Sequence, residues 1–302
     1  MSSETVITLV DVVKNGLAIS IATKDRPEVV ETTLRRLHAF GLGECEVLVC
    51  DDGSTPPLAP EALRLFPRGR LIRHAVACGQ AIARNHLMKA ATRPYVLQLD
   101  DDSYPVSGSF EELLAVVRKQ DDWLAMALPL EEPARGRRAQ IPRHPAMPLR
   151  SFIGCAALLN RQAFLAIGGY AEWIGRTVEE DELSIRGYKR GVEVRGMGSV
   201  CIRHDVTNLQ RNLAGIEYRS FQNWTATWLR HAPFPEVVLR VVRLAGAAVS
   251  TMIRFCRSSA IRGFANGVFD RRAFTERDPM TRDAYHKFVR LPHALEALST
   301  DA

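Results

Sequence analysis

The sequence predicts an α/β fold, a mixed and mainly parallel sheet with helices on both faces, followed by a helical C-terminal region. Three observations predict it. Short apolar runs alternate with helical patterns between residues 17 and 204, as in a sheet whose crossover helices cover both faces. Two of those runs end in carboxylates, Asp51-Asp52 and Asp100-Asp101-Asp102. In open α/β sheets the ligand crevice lies beyond the carboxyl ends of the strands, so these acids sit where a ligand sits. From about 212 strand signals give way to helical spacing that continues to 296.

The elements follow in order. Residues 1–16 are weakly patterned and read as an arm or short strand, and Leu17 to Thr23 is a first buried strand. Pro27 suits the first turn of a helix, and Val29, Val30, Leu34, Leu37 and Phe40 keep helical spacing over 28–40. Cys45 to Cys50 is a second strand, running into Asp51-Asp52-Gly53-Ser54, and Leu71 to Ala75 is a short third one. Gly79 opens a helix over 80–91. Residues 94–105 form the central strand, whose apolar run ends in three aspartates and is broken by Pro105. A helix near 109–119 and an apolar run from Trp123 to Leu130 come next. Residues 131–150 are rich in Arg and Pro and aperiodic; a mobile surface loop and a loop closing over substrate both fit. Ile153 to Leu159 reads as a strand, Arg161 starts a short helix, Thr177 to Arg186 opens a helix with four acids, and Val192 to Arg203 alternates as one strand leading to His204.

Composition narrows the function classes. At 302 residues, 25% charged and 46% hydrophobic, the chain has the make-up of a soluble globular protein with a substantial core. Its net charge of +6 lies in residues 203–302, which hold 15 Lys and Arg against 9 Asp and Glu. The six cysteines form no Cys-x-x-Cys pair and sit mostly in or beside apolar runs, which reads as reduced thiols of a cytoplasmic protein. No secretory signal and no membrane span is visible; the longest candidate, 237–253, is interrupted by Arg240 and Arg243. The glycine fingerprints of dinucleotide-binding and P-loop proteins are absent, so both classes lose support. A nucleotidyltransferase would need a Gly-rich, Arg-containing loop after the first strand, which Ala22 to Pro27 does not provide. The basic residues after 235 are spaced as on helix faces, which argues against nucleic acid as partner.

Two acid runs carry the chemistry. Adjacent carboxylates at a strand tip suit a hard divalent cation bridging to a diphosphate, and they also suit a solvated loop. Glu179, Glu180, Asp181 and Glu182 occupy a first helical turn, where the helix dipole favours acids. Four in a row exceed that need, and their repulsion leaves at least one with a raised pKa, a credible general base. His204 after its strand is a structural residue or a third metal ligand, and imidazole would complete an oxygen-rich site for a manganese-like ion. No cationic side chain is evident beside Asp100 and Asp102 to hold a diphosphate, which makes a metal ion necessary.

Taken together, Asp51-Asp52-Gly-Ser, Gly79-x-x-x-x-Arg84-Asn85, Leu99-Asp100-x-Asp102, Gly168-Gly169-Tyr170, Glu179-Glu180-x-Glu182-Leu-x-x-Arg186 and the distant His204 resemble family 2 glycosyltransferases of the GT-A fold. The resemblance covers about 17–205, and the C-terminal helices are loosely similar to rhamnosyltransferase-like members. It implies an inverting, metal-dependent transfer of one sugar from a nucleoside diphosphate sugar, UDP- or dTDP-linked, to an acceptor hydroxyl in cell-surface glycan or glycolipid synthesis. Residues 1–210 would be the nucleotide-sugar-binding and catalytic domain, and 211–302 a helical region on the acceptor and membrane side. By motif, Thr23, Asp51, Asp52, Gly79, Arg84, Asp100 and Asp101 would bind the nucleotide-sugar, with Arg84 facing phosphate or base. Asp102 and His204 would hold Mn2+ or Mg2+. The family's base motif departs here: alignment on Glu182-Leu183 makes Glu180 the base, with Asp181 the runner-up. The Gln-x-x-Arg-Trp motif of processive synthases is missing, which implies single-sugar transfer. A catalytically inactive sugar-nucleotide or glycan-binding protein is the alternative. The amphipathic basic helix at 235–256 suggests peripheral contact with the inner membrane face, or packs through Val237, Val238, Leu239, Val241, Val242 and Leu244 as core.

Overall fold

The computed structural model describes residues 9–141, 146–206 and 212–301. The chain enters through α1 (Leu9–Gly16), a helix where an arm or strand was expected, and passes into β1 (Leu17–Thr23). β1 is buried along almost its whole length, as a strand covered on both faces must be. Pro27 begins α2 (Pro27–Leu37), and β2 (Glu46–Asp52), β3 (Gly69–His74), α3 (Gln80–Ala90) and β4 (Tyr95–Asp100) complete a parallel half-sheet. Register brings the strand tips level: Thr23 pairs with Asp51, and Ala22 with Asp100. The acids at the ends of β2 and β4 therefore open onto one edge.

Pro105 does not end the strand region. The chain reverses at Asp101-Asp102 into β5 (Ser103–Gly108), which leaves the main sheet, and α4 (Phe110–Val117), β6 (Trp123–Ala127) and β7 (Leu130–Glu131) follow. The aperiodic stretch holds β8 (Arg137–Ala139) and β9 (Met147–Leu149), while 142–145 lie outside the described residues. β10 (Ala157–Asn160) is shorter than predicted and runs antiparallel between β4 and β6. After α5 (Arg161–Ile167) and α6 (Glu179–Lys189), the predicted single strand is two: β11 (Glu193–Gly196) in the main sheet and β12 (Val200–His204) outside it. The Gly196-Met-Gly-Ser199 stretch lets the chain change sheets, a break that the alternation of side chains does not reveal.

The main sheet has the order β3-β2-β1-β4-β10-β6-β11-β9, and β5-β12-β7 form a second, three-stranded sheet. β12 pairs antiparallel to β5 with His204 opposite Ser103, and parallel to β7 with Arg203 opposite Glu131. This small sheet carries His204 to the β4 tip. One core, with Leu34, Leu37, Leu113 and Val117, covers one face of the main sheet, and a second, with Leu87, Met88, Phe164 and Leu183, covers the other.

Helices α7 (Leu213–His231), α8 (Glu236–Phe255), α9 (Ser259–Val268), α10 (Arg271–Thr275), α11 (Arg282–Arg290) and α12 (Ala294–Leu298) make up the helical region, and β13 (Ser299–Asp301) pairs with β8. Ile185 of α6 shares a third core with Trp228, Tyr285 and Phe288, which seats these helices against α6. α8 is only partly core. Val237 is buried and Val241 and Leu244 pack beside it, but Val238, Leu239 and Val242 are exposed. Among the described residues no helix is long and apolar enough to cross a membrane. Of the cysteines, Cys45, Cys50 and Cys155 are buried, but Cys78 and Cys256 are exposed.

Candidate active site

The three aspartates at the end of β4 have three different environments, because successive residues at a strand end point in different directions. Asp100 is half-buried and accepts from Arg84 Nη2 at 2.8 Å and Gln80 Nε2 at 3.3 Å. Asp101 is buried, accepting from Thr23 Oγ1 at 2.7 Å and Arg26 Nη1 at 2.5 Å. Burial outweighs those partners and pushes its carboxyl up to about 7. Asp102 is buried as well, with Oδ2 2.8 Å from Arg26 Nη2 and Oδ1 3.1 Å from His204 Nε2. Burial opposes its charge, but His204 and Arg26 prevail and hold it well below the usual carboxylate range. The expectation of a tip without cations is thus wrong: Arg26 and Arg84 both reach it. Arg26 stands only three residues past Thr23, but nothing in its local pattern says which acids it meets.

His204 is fixed from behind. Its Nδ1 is 2.8 Å from Glu132 Oε1, and Glu132 in turn accepts from Arg135 at 3.0 Å and Arg137 at 2.6 Å. Glu132 therefore stays ionised despite burial, and the stretch suspected of being a mobile loop supplies the partner that orients the histidine. The other ring nitrogen, Nε2, is buried and makes no well-formed hydrogen bond although it points at Asp102. Asp102 Oδ1 and His204 Nε2, 3.1 Å apart with Glu132 behind the imidazole, fit a divalent ion that would take the place of their mutual contact. Asp100, Cys155 and His204 also present ligand atoms within 4.8 Å of one another.

The predicted nucleotide-binding residues separate into two groups. Thr23, Asp52, Asp100 and Asp101 line one cleft of about 160 Å³ together with Lys24, Arg26 and Arg176. Asp52 there accepts from the backbone N–H of Cys78 at 2.8 Å and of Gly79 at 2.9 Å, so Gly79 shapes the cleft through its backbone, at φ +100°. Asp51 is fully buried and is not among the residues lining this cleft. It accepts from the N–H groups of Ser54 and Leu58, each at 2.9 Å, and from Arg73, which makes it the anchor of the loop after β2. Arg84 has several partners. It is buried and bridges Asp100, Glu179 at 3.2 Å and Glu180 at 2.8 Å, and from there it lines a second cleft.

The acid turn of α6 likewise disperses, since helical neighbours point about 100° apart. Glu179 is buried, and burial and the adjacent Glu180 push its pKa up. Glu180 faces a second cleft of about 220 Å³, which also reaches Asp100, Arg176 and His204. Asp181 faces away from it, toward the C-terminal helices; burial and Glu180 push its carboxyl up to about 7. Glu182 is fully buried, and against the cost of that burial His231 and Arg186 depress its pKa.

Two further residues position Glu180, and sequence reasoning missed both. A Cβ on Gly154 would overlap the Glu180 carboxylate and the Arg84 guanidinium, so this glycine makes room for the pair. Thr177 and Val178, just before α6, both have positive φ, at 68° and 71°. Asn223 of α7 holds that strained turn, its Nδ2 lying 2.9–3.0 Å from the carbonyls of Ile174, Arg176 and Thr177.

A family model, glycosyl transferase family 2, matches residues 18–171, which is half of the chain. The chain belongs to that family. It is a glycosyltransferase of the GT-A fold, and three solved structures show the same fold. A mannosyltransferase from Pyrobaculum calidifontis, in complex with GDP-Man and Mn2+, is 16% identical with a TM-score of 0.54, over 86% of each chain. S. aureus TarS 1–349 with UDP-GlcNAc is 13% identical with a TM-score of 0.59, over 85% of this glycosyltransferase and 81% of that chain. GalNAc-T7 with UDP, GalNAc and Mn2+ is 11% identical with a TM-score of 0.58, over 88% and 59%. No curated protein matches the sequence.

Proposed function

We propose that this glycosyltransferase moves one sugar, with inversion, from a nucleoside diphosphate sugar to an acceptor hydroxyl, and that Glu180 is the base. One observation carries this reading: Glu180 and the Asp100–His204 cluster line the same cleft, and Arg84 ties the candidate base to the strand tip. That cleft shares Gln80, Asp100 and Arg176 with the one lined by Thr23 and Asp52, so a donor fits with its nucleoside toward Thr23 and its sugar toward Glu180. The Mn2+ complexes of the mannosyltransferase and GalNAc-T7 support a divalent ion here, which when bound by Asp102 and His204 would neutralise charge on the leaving diphosphate. Arg176 adds a cation to both clefts. Glu180 Oε1, steadied by Arg84, takes the acceptor proton as the hydroxyl oxygen bonds to the anomeric carbon and the bond to the diphosphate breaks on the opposite face. Thermal melting with UDP-, dTDP- and GDP-sugars, with and without Mn2+, tests donor binding. A ligand at 100 times its Kd stabilises by about 2.7 kcal/mol. Binding of none of them, or turnover unaffected by excess chelator, would overturn the reading.

The acceptor in this reading is a glycan or glycolipid reached by peripheral contact with an anionic, inner membrane face. Of the exposed large hydrophobic side chains among the described residues, nine of thirteen fall between Phe234 and Phe274. On α8, Val238, Val242, Val249 and Ile253 form one exposed stripe, beside Arg243 and Arg254. Residues 234–275 hold seven arginines against two acids. Apolar burial and attraction to head groups then act together. The protein should co-sediment with anionic but not with neutral vesicles, and Val242→Glu with Ile253→Glu should abolish this; unchanged sedimentation of that variant would return the stripe to another role.

A further inference from the structure

Asp181 opens onto a cavity of about 260 Å³ on the far side of the first turn of α6 from Glu180, at the junction with the C-terminal helices. Its walls are aromatic: Trp224 and Trp228 stack with centroids 5.8 Å apart and planes 12° from parallel, and Phe288 also lines it. Arg240 lies over Trp228, 4.4 Å from the ring centroid, and donates from Nε to Tyr285 Oη at 2.6 Å, which fixes its guanidinium. Arg150 completes the polar rim. Apolar walls with a few convergent polar groups are the make-up of a small-ligand site, here held ready by stacking and hydrogen bonding.

The chemistry selects among ligands. Asp181 lies 3.7 Å from His293 Nε2 and Arg240 is bonded to Tyr285, and a purely apolar molecule would strip the remaining water from these groups and from Arg150 while offering them no new hydrogen bond. A phosphate would face the Asp181 carboxylate. A pyranose ring matches both features, with C–H faces for the indoles and hydroxyls for the carboxylate and guanidinium groups. Asp181 also directly follows Glu180, so an acceptor whose terminal hydroxyl meets Glu180 can extend over the first turn of α6.

We infer that this cavity is the acceptor-saccharide subsite: it takes the pyranose next to the one glycosylated, and Asp181, Trp224 and Arg240 select it. The inference rests on the transferase reading, and assigns Asp181 to acceptor recognition rather than to proton abstraction.

The test uses the full chain without donor. Saturation-transfer NMR with methyl pyranosides and short oligosaccharides should show transfer to ring protons of at least one oligosaccharide. Trp224→Ala should weaken that signal by roughly tenfold, the scale of one lost aromatic contact. Leu244→Trp fills the cavity from α8 and should abolish it; Leu244 is half-buried and less central to packing, so it covers the case in which Trp224→Ala fails to fold. Signals unchanged in both folded variants, or transfer to an apolar or phosphate probe with none to any saccharide, would overturn the assignment. Donor binding by the wild type, measured alongside, separates the failures: donor without saccharide sinks the subsite alone, and saccharide without donor sinks the transferase reading.

Discussion

The strand tip Asp100–Asp102 and the helix turn Glu179–Glu182 are both runs of acids, and each is broken up by its backbone geometry. At the tip, the reversal into β5 gives Asp100 to Arg84, Asp101 to Thr23 and Arg26, and Asp102 to His204 and Arg26. In the helix, rotation sends Glu179 and Glu180 to Arg84, Asp181 to the aromatic cavity and Glu182 to Arg186 and His231. The difference lies in compensation. The tip meets its acids with a different cation at each position, Arg84, Arg26 and His204, whereas the helix turn pairs Glu182 fully with Arg186 and His231 but leaves Glu179 Oε2 buried without a hydrogen bond. A run of like charges is therefore not one site but several, and arginines, Arg84 above all, join them.

Substitutions can break this comparison. The largest effect is expected from Asp102→Ala, which should abolish sugar transfer and its response to Mn2+ while melting as a folded protein; full activity would move the ion away from the tip. Glu180→Gln keeps the volume and removes the proton acceptor, so turnover should fall about 10²- to 10⁴-fold with donor affinity little changed. Asp181→Asn is the paired measurement: the division of the helix turn requires it to raise the acceptor KM and spare kcat, and the opposite pattern would exchange the two roles. The smallest effect on chemistry comes from Glu182→Gln, whose cost is to stability, about 3 kcal/mol at pH 7 for breaking a buried ion pair. Because the folded-state pKa of Glu182 lies below its ordinary 4.5, this stabilisation is complete above 4.5 and is lost as pH falls. Urea unfolding of wild type and variant should accordingly converge between pH 4.5 and about 2. A gap that widens on acidification would refute the pairing.

Much of the parallel half-sheet was legible because its signals are local: apolar runs of strand length, Pro27 at a helix start, acids at strand ends. His204 was legible only through motif order, and its position depends on β12 leaving the main sheet. What stayed hidden is long-range. Glu132 sits 72 residues before His204 in an aperiodic stretch. Arg26 meets acids 75 and 76 residues away, and Gly154 matters only because two charged side chains cross over it. Asp51 shows a second kind of hidden contact: this motif residue at a strand tip turns inward to brace a loop. α8 was ambiguous for a physical reason, since its apolar residues supply both an inner and an outer face.

The convergence of three carbonyls on Asn223 has a practical consequence for swapping parts between relatives. The catalytic half does not end at the last strand: the turn that aims Glu180 is fastened by a side chain midway along α7, the first helix of the outer bundle. A chimaera spliced at the natural-looking boundary near residue 210 would import a foreign α7 and lose the fastening together with the native acceptor surface. Its activity would then collapse even on the correct acceptor. A splice placed after Asn223 keeps the turn and its support on one parental sequence, and leaves the outer helices free to be exchanged.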